Sequence, residues 1–324
     1  MIKNSMSAST GLLNTYELAH EWVLSTHQRL IDVGCVQTED IGQYTLAPSA
    51  GTIPSATTLG YRIYELNDTH SSEQPVYFKL VFRVTQGTAT NSISFVGVYI
   101  LTVGFGTDGG GNLTGFTAPT AQQLVIPNTD GGALPVNGVQ ARTLAVKGDD
   151  FMYLGGLLGL SYQASYNIHN SGFFGILRNK NNQGTVDPAV ITIIYPNTGV
   201  SSNNSLPLRY QKLSKTEGAS NINTNMHTLP RINNAAGVLC AVEADISEMS
   251  ILETTDTLLA LRTAPTDTPW GIYELSLDGV TSRKYLHLYT AHSTTNPTSA
   301  NIPFNACVDS REPTLGALGL LWGE

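Results

Sequence analysis

The residues most suggestive of chemistry form the glycine-rich segment 104–109, whose sequence GFGTDG matches the pattern G-x-G-x-x-G. In dinucleotide-binding proteins this pattern follows a strand and opens a helix, and the helix N-terminus holds the pyrophosphate. A strand is predicted before the segment, but Gly110, Gly111 and Asn112 follow it, and such backbone-flexible residues disfavour helix initiation. We therefore predict a glycine-rich hairpin at this position and no nucleotide site.

Two groups of carboxylates could provide the acid and base of a glycoside hydrolase. One is the pair of aspartates in the segment 147–150 (KGDD), and the other consists of Glu243, Asp245 and Glu248. The reaction needs two carboxyl groups roughly 5–9 Å apart, a separation that the sequence does not give. Because Lys-Gly-Asp-Asp is also typical of a tight turn, we interpret the first group as a turn.

The histidines do not occur at the spacing of a zinc-binding H-E-x-x-H motif. The sequence also has no G-x-S-x-G nucleophile elbow and no P-loop. We therefore predict that the chain is not an enzyme and that it binds no metal and no cofactor. The histidines that we expect to be structural are His20, His27, His70, His169, His227, His287 and His292.

The cysteines are Cys35, Cys240 and Cys307. They are odd in number and far apart, which fits neither a disulfide framework nor the close ligand pairs of a zinc site. We predict that all of them are small core residues.

The composition is unusually poor in charge. Charged residues make up 13% of the chain, against about 25% in a typical soluble domain. The net charge of −8 and the pI near 5.3 argue against a nucleic-acid-binding protein, which needs a cluster of Lys and Arg. The sequence shows neither a secretory signal nor an apolar run as long as a membrane helix, so we expect a soluble product made in a cytoplasm, with no membrane partner.

An amphipathic helix is predicted for residues 15–33. Asn14 and Glu17 resemble a capping box, and Gly34 is a suitable residue to end the helix. The apolar residues recur at helical spacing and form one stripe, so the helix must pack against another surface. The residues of this stripe that we predict to bind a partner are Tyr16, Ala19, Trp22, Val23 and Leu30.

From about residue 60 the spacing of the apolar residues changes from the helical pattern to every second residue. In the segment 78–84 (FKLVFRV) Phe78, Leu80, Phe82 and Val84 share one face, and Lys79 and Arg83 lie on the other. This pattern is typical of a strand with one solvent-exposed face. The turns between the predicted strands are rich in Gly, Asp and Asn. The fold class we predict is mainly β, an antiparallel β-sandwich or jelly roll with an N-terminal α-helix. The predicted strands are 78–84, 93–103, 122–126, 142–146, 173–178, 190–195, 206–211, 238–242, 258–261, 270–277 and 284–289.

The composition along the chain predicts its division into regions. Residues 1–59 form a helical arm with a connector, and residues 60–197 form a first β-region. Residues 198–236 are rich in Ser, Asn and Thr and indicate a polar loop or boundary. Residues 237–324 form a second β-region.

Several segments resemble the virion structural proteins of tailed bacteriophages. They are residues 61–68 (YRIYELND), 74–80 (QPVYFKL), 103–115 (VGFGTDGGGNLTG), 172–180 (GFFGILRNK) and 320–324 (LLWGE). The last is similar to a Leu-Trp-Glu ending found in some of these proteins, although here a Gly stands before the Glu. The resemblance covers about half of the chain and implies a place on the tail, the collar or the baseplate of a phage particle; it carries over no functional residues.

Two functions follow from these observations. The first is a non-enzymatic subunit of the virion, made in the host bacterial cytoplasm, that forms homo-oligomers and contacts other virion proteins. Low charge suits this function, because burying unpaired ions in interfaces is costly. The composition equally fits an extracellular β-domain whose surface is simply polar. The alternative is a carbohydrate-binding or carbohydrate-cleaving receptor-binding protein. Its sugar platform would consist of Trp270, Tyr273, Tyr285 and Tyr289.

A second alternative concerns the helix alone, which on this interpretation covers its own β-core and contacts no partner.

Overall fold

The structure is a computed structural model of the full chain. It describes residues 1–7, 13–45, 50–54, 56–89, 92–115, 118–125, 140–159, 167–169, 171–180, 185–196, 208–222, 226–228, 232–234, 237–246, 251–263, 272–276, 281–292 and 315–323.

The elements confirm the predicted class, since strands far outnumber helices in the described ranges. The α-helix is α1 (Tyr16–Asp32). The strands are β1 (Lys3–Met6), β2 (Val36–Gln37), β3 (Thr57–Glu65), β4 (Tyr77–Ala89), β5 (Ser92–Gly104), β6 (Gly106–Thr107), β7 (Leu113–Thr114), β8 (Ala118–Val125), β9 (Gln140–Lys147), β10 (Phe151–Gly159), β11 (Asn167–His169), β12 (Ser171–Lys180), β13 (Val186–Pro196), β14 (Leu208–Ser214), β15 (Gly218–Ile222), β16 (Met226–Thr228), β17 (Ile232–Asn234), β18 (Gly237–Ile246), β19 (Ile251–Thr263), β20 (Ile272–Ser276), β21 (Ser282–His292) and β22 (Leu315–Gly323).

The helix α1 begins and ends close to the predicted positions, but its first residue is capped differently. The cap is Thr15, whose hydroxyl accepts a hydrogen bond from the backbone N–H of Leu18 at 3.3 Å, so the assignment of this role to Asn14 was wrong. Thr15 serves because its extended backbone lets its oxygen reach the free N–H groups of the first turn. At the other end Gly34 adopts φ +93°, and the Cys35 N–H donates to the Leu30 carbonyl, which is the expected glycine-terminated end.

The strand pairs between described residues are all antiparallel. A five-stranded sheet has the order β2-β3-β4-β5-β8. A seven-stranded sheet has the order β1-β9-β10-β12-β13-β14-β15. An eight-stranded sheet has the order β11-β21-β22-β19-β18-β16, and in it β17 also pairs with β18 and β20 also pairs with β21. The strands β6 and β7 pair in a small hairpin.

The five-stranded and seven-stranded sheets pack face to face, which confirms the predicted sandwich. The inner face of β4 has the expected alternation, because Phe78, Leu80, Phe82 and Val84 are fully buried and the residues between them are partly exposed. The ring of Phe78 meets the ring of Phe174 from β12 at 6.3 Å. The helix α1 covers the other part of the same face, so one core contains residues from both sheets and from the helix.

The seven-stranded sheet is covered on its other face too. Met152 and Leu154 of β10 lie in the sandwich core, whereas the intervening Tyr153 points away from it and hydrogen-bonds the Thr257 hydroxyl of β19 at 2.8 Å. A strand covered on both faces needs apolar residues at successive positions, so it lacks the alternation by which strands were predicted. This explains why β10 was not among the predicted strands.

The seven-stranded sheet combines strands from several of the predicted regions. It contains β1 from residues 1–59 and β14 and β15 from residues 198–236, where β14 overlaps the predicted strand 206–211. In this sheet β1 pairs with β9, and β14 pairs with β13.

Candidate functional site

The helix residues predicted to bind a partner lie on the side of α1 that faces the chain's own core. Ala19, Trp22, Val23 and Leu30 are buried, and Tyr16 is partly buried against the same core. The structure thus shows the packing of the alternative interpretation, in which the helix covers its own sheet. Among the described residues, the side of α1 that the chain's own core leaves uncovered is the outward side.

Trp22 is the centre of this packing. Its indole meets the ring of Phe82 edge-on at 5.5 Å and lies 5.0 Å from the ring of Tyr99. A Cβ at Gly97 of β5 would lie 2.6 Å from the indole, so only glycine leaves space for this ring. The indole N–H donates to the Tyr99 hydroxyl at 3.1 Å, and that hydroxyl also contacts the Thr26 hydroxyl at 2.9 Å. The polar groups of this part of the core are therefore hydrogen-bonded.

The outward side of α1 carries exposed apolar side chains. Leu24 is 42% exposed and Ile31 is 39% exposed, and their spacing of seven residues places them on one side of the helix, two turns apart. Val36 of β2, which follows the helix, is 46% exposed. We call Leu24 and Ile31 the outer apolar surface of the helix. It is the candidate contact surface for a partner.

The strand β1 joins three other parts of the chain. It pairs with β9 in the register Lys3↔Lys147 to Met6↔Leu144. The Ser5 hydroxyl donates to the Asp32 carboxylate of α1 at 2.6 Å, and the Asn4 side chain donates to the Trp322 carbonyl of β22 at 2.7 Å. Few of these contacts bury apolar area, because Lys3 and Asn4 are exposed.

A buried ion pair holds the sandwich together at one end. Arg178 of β12 donates from Nε and Nη2 to the two carboxylate oxygens of Asp68, at 2.7 and 2.9 Å, and both side chains have an exposure of 0%. Asp68 lies in the loop between β3 and β4. The remaining donors of Arg178 reach the carbonyls of Gln74 and Pro188 at 2.8 and 2.6 Å. The geometry is that of a structural clamp between the two sheets, in which four of the five N–H groups of the guanidinium donate hydrogen bonds.

The segment 104–109 forms part of the β6–β7 hairpin, as predicted. The carboxylate of Asp40 is buried beside this hairpin and accepts from the Thr107 hydroxyl at 2.7 and 2.8 Å and from the Gly111 N–H at 3.2 Å. Burial raises the pKa of Asp40, but hydrogen bonds, including one from Thr38, outweigh it and the net shift is downward. Gly111 has φ +92°, and a Cβ there would lie 2.0 Å from the Tyr61 hydroxyl. Gly111 therefore serves the close packing of the hairpin against Tyr61.

The other residues considered for chemistry occupy structural positions where the chain is described. The predicted turn at 147–150 is confirmed, with the Gly148 N–H bonded to the Phe151 carbonyl, and Asp150 pairs with Lys180 at 2.5 Å. Glu243 and Asp245 lie in β18, and Glu248 lies outside the described residues. Tyr285 is fully buried and cannot stack on a sugar.

The other three platform residues have no described side chain. Tyr273 lies in β20 and Tyr289 in β21, whereas Trp270 lies outside the described residues.

The histidines of the helix contact tyrosines. A ring nitrogen of His20 lies 3.0 Å from the Tyr44 hydroxyl, and one of His27 lies 3.2 Å from the Tyr64 hydroxyl. Burial, with a smaller contribution from the charge of Arg62, lowers the pKa of His27 to about 4. Within the described ranges, no three His, Cys, Asp or Glu side chains come together as metal ligands do.

Of the cysteines, Cys35 is the one whose side chain the structure describes. Cys35 is buried in the sandwich core, and burial raises the pKa of its thiol to about 12. Cys240 lies in β18, and Cys307 lies outside the described residues.

The described part of the chain contains no helix with the length and hydropathy needed to cross a membrane.

Comparison of the chain with protein-family models, with curated proteins and with solved structures gave no match.

Proposed function

We propose that this chain is a non-enzymatic structural subunit of a tailed-phage particle, associated with the tail, the collar or the baseplate. It acts by assembling with copies of itself and by contacting neighbouring virion proteins. It is made in the host bacterial cytoplasm, has no membrane or nucleic-acid partner and ends in the virion.

The observation that carries the proposal is the low charge of the chain. Only 13% of the residues are charged, and the chain has enough residues for a large surface, so much of that surface is polar but uncharged. Such a surface loses less free energy of hydration when a partner covers it than a charged surface does, because an unpaired buried ion costs several kcal/mol, on the order of 3–5. Low charge over a large surface therefore suits a protein that buries much of its outside in an assembly.

The fold supports the same proposal through rigidity. The antiparallel sandwich is joined by the buried pair of Asp68 and Arg178, and the helix is anchored in the core by Trp22. A subunit with one defined shape can repeat the same contacts in every copy, which closed symmetric assemblies require. The outer apolar surface of the helix offers a patch for such a contact.

The first test measures self-association of the purified chain. Sedimentation velocity over a range of micromolar concentrations is expected to show an oligomer, and electron microscopy of that oligomer is expected to show ordered copies. A monodisperse monomer at every concentration would contradict the proposal. Binding in a glycan array, or release of reducing sugar ends, would favour the carbohydrate alternative.

A pair of variants tests the surface. Leu24→Glu with Ile31→Glu places two charges on the outer apolar surface and should weaken association with the fold unchanged, because neither side chain belongs to the buried core. Ile41→Glu is the matched control, since Ile41 is 72% exposed and lies in the loop after β2. Equal association of both variants would show that this surface is not the contact.

A further inference from the structure

We propose that β1 is exchanged between copies of this chain, so that Lys3–Met6 of one copy pairs with β9 of another. This inference rests on the proposed function and deepens it, because it names the segment through which copies associate and the site that receives it.

The first support is the way in which β1 is held. Lys3 and Asn4 are exposed, and Ser5 and Met6 are only half-buried, so the strand contributes little apolar area to the core. Its partner β9, in contrast, is deeply buried at Leu144, Ala145 and Val146. The strand is thus held chiefly by backbone pairing and a few polar contacts, and detaching it costs far less than unfolding the sandwich.

The second support is the completeness of the site that receives β1. Besides the β9 backbone, it offers the Asp32 carboxylate to Ser5, the Trp322 carbonyl to Asn4 and the guanidinium of Arg29, which donates to the Met6 carbonyl at 3.1 Å. The pairing continues one residue further, where the Ser7 N–H donates to the Thr143 carbonyl at 2.8 Å and the Thr143 N–H donates to the Ser7 hydroxyl at 2.9 Å.

These contacts join β1 to distant parts of the chain. An identical segment from a second copy satisfies every one of them, which is the condition for exchanging an element between protomers at little energetic cost.

A second copy is the occupant that this site fits best. If β1 leaves, the edge of β9 presents unpaired N–H and C=O groups beside buried apolar residues, and such an edge must be covered. The sequence that matches all its donors and acceptors is that of β1 itself.

The connection between β1 and α1 limits how far β1 can reach. Residues 7–15 connect β1 to α1 and can span roughly 30 Å when extended, at about 3.3–3.6 Å per residue. A tethered strand has an effective concentration on the order of millimolar, which neighbouring copies in an assembly also reach, so exchange can compete with pairing inside one chain.

Mixed single-cysteine variants give a direct test. Ser5 and Ala145 are opposite each other in the register of β1 and β9, and antiparallel partners about 4.5–5.5 Å apart fit the Cα separation of a disulfide. A Ser5→Cys chain and an Ala145→Cys chain, both with Cys240→Ser and Cys307→Ser, are refolded together and oxidised. A covalent heterodimer is expected on a non-reducing gel, and neither variant alone should form the same product.

The control pair uses strands that follow each other in the chain. Val81 of β4 faces Ile100 of β5, both are half-buried, and a short connection joins the strands. Val81→Cys mixed with Ile100→Cys should give no covalent heterodimer, whereas a single chain carrying both substitutions should close its disulfide internally. If Ala145→Cys does not fold, the register pair Asn4→Cys and Val146→Cys replaces the first pair.

The outcomes separate the two proposals. If the chain assembles but the mixed variants give no more heterodimer than the control, strand exchange is wrong and the proposed function stands. If every variant and the unchanged chain are monomeric, both are wrong. If heterodimer forms and a double Ser5→Cys/Ala145→Cys chain gives covalent multimers, strand exchange is established.

Discussion

Replacing Asp68 by Asn tests the buried clamp between the two sheets. The substitution keeps the shape of the side chain but removes the charge that pairs with Arg178 and turns one acceptor oxygen into an NH₂ donor. Because both side chains have 0% exposure, no water can replace the lost acceptor, and the guanidinium is left with an unpaired charge in the core. Breaking a buried pair by removing one partner costs about 3–5 kcal/mol, and we expect a loss of this size in the free energy of unfolding.

Urea denaturation followed by fluorescence measures this loss as a lower midpoint with an unchanged m-value. Asp150→Asn is the matched control, because its pair with Lys180 is partly exposed, with side-chain exposures of 23% and 47%, and such pairs contribute less than about 1 kcal/mol. A chain with both Asp68→Asn and Arg178→Met should lose less than Asp68→Asn alone, since no charge then remains buried. Equal losses for Asp68→Asn and Asp150→Asn would refute the reasoning.

Three further predictions follow from the core. Trp22→Ala should lower the free energy of unfolding by about 3–5 kcal/mol in urea, because the indole is buried in the chain's own sandwich; an unchanged unfolding free energy with failed assembly would instead assign Trp22 to an interface. The pKa of His27 is about 4 in the folded chain against 6.5 unfolded, so the unfolded state takes up the proton first and stability should fall as the pH drops from 6.5 to 4. Urea midpoints across this range should be flatter for His27→Gln, and an identical slope would contradict this origin. In a chain with Cys240→Ser and Cys307→Ser, the thiol of Cys35 should react with a disulfide reagent only after unfolding, because burial raises its pKa to about 12; rapid reaction of the native chain would show an accessible thiol.

The sequence by itself determined the features that depend on neighbours along the chain. The helical spacing of residues 16–30 predicted α1, because one face of a helix must be apolar to pack. The alternation of apolar and polar residues in 78–84 predicted β4 and its buried face, because every second residue of a strand lies on the same face. The glycines after residue 104 predicted a hairpin, because backbone freedom is a local property of those residues.

The tertiary structure alone decided which distant segments meet. The stripe of α1 predicted an apolar partner surface, but only the folded chain shows that this surface is its own β4 and β5, with β1 and β9 also against the helix. The pairing of Asp68 with Arg178, 110 residues apart, and the pairing of β1 with β9 leave no periodic trace in the sequence. The local spacing of apolar residues indicates which side of a helix or strand must be covered. Which segment covers it depends on the free energy of the whole folded chain, because residues far apart in the sequence contribute to it together.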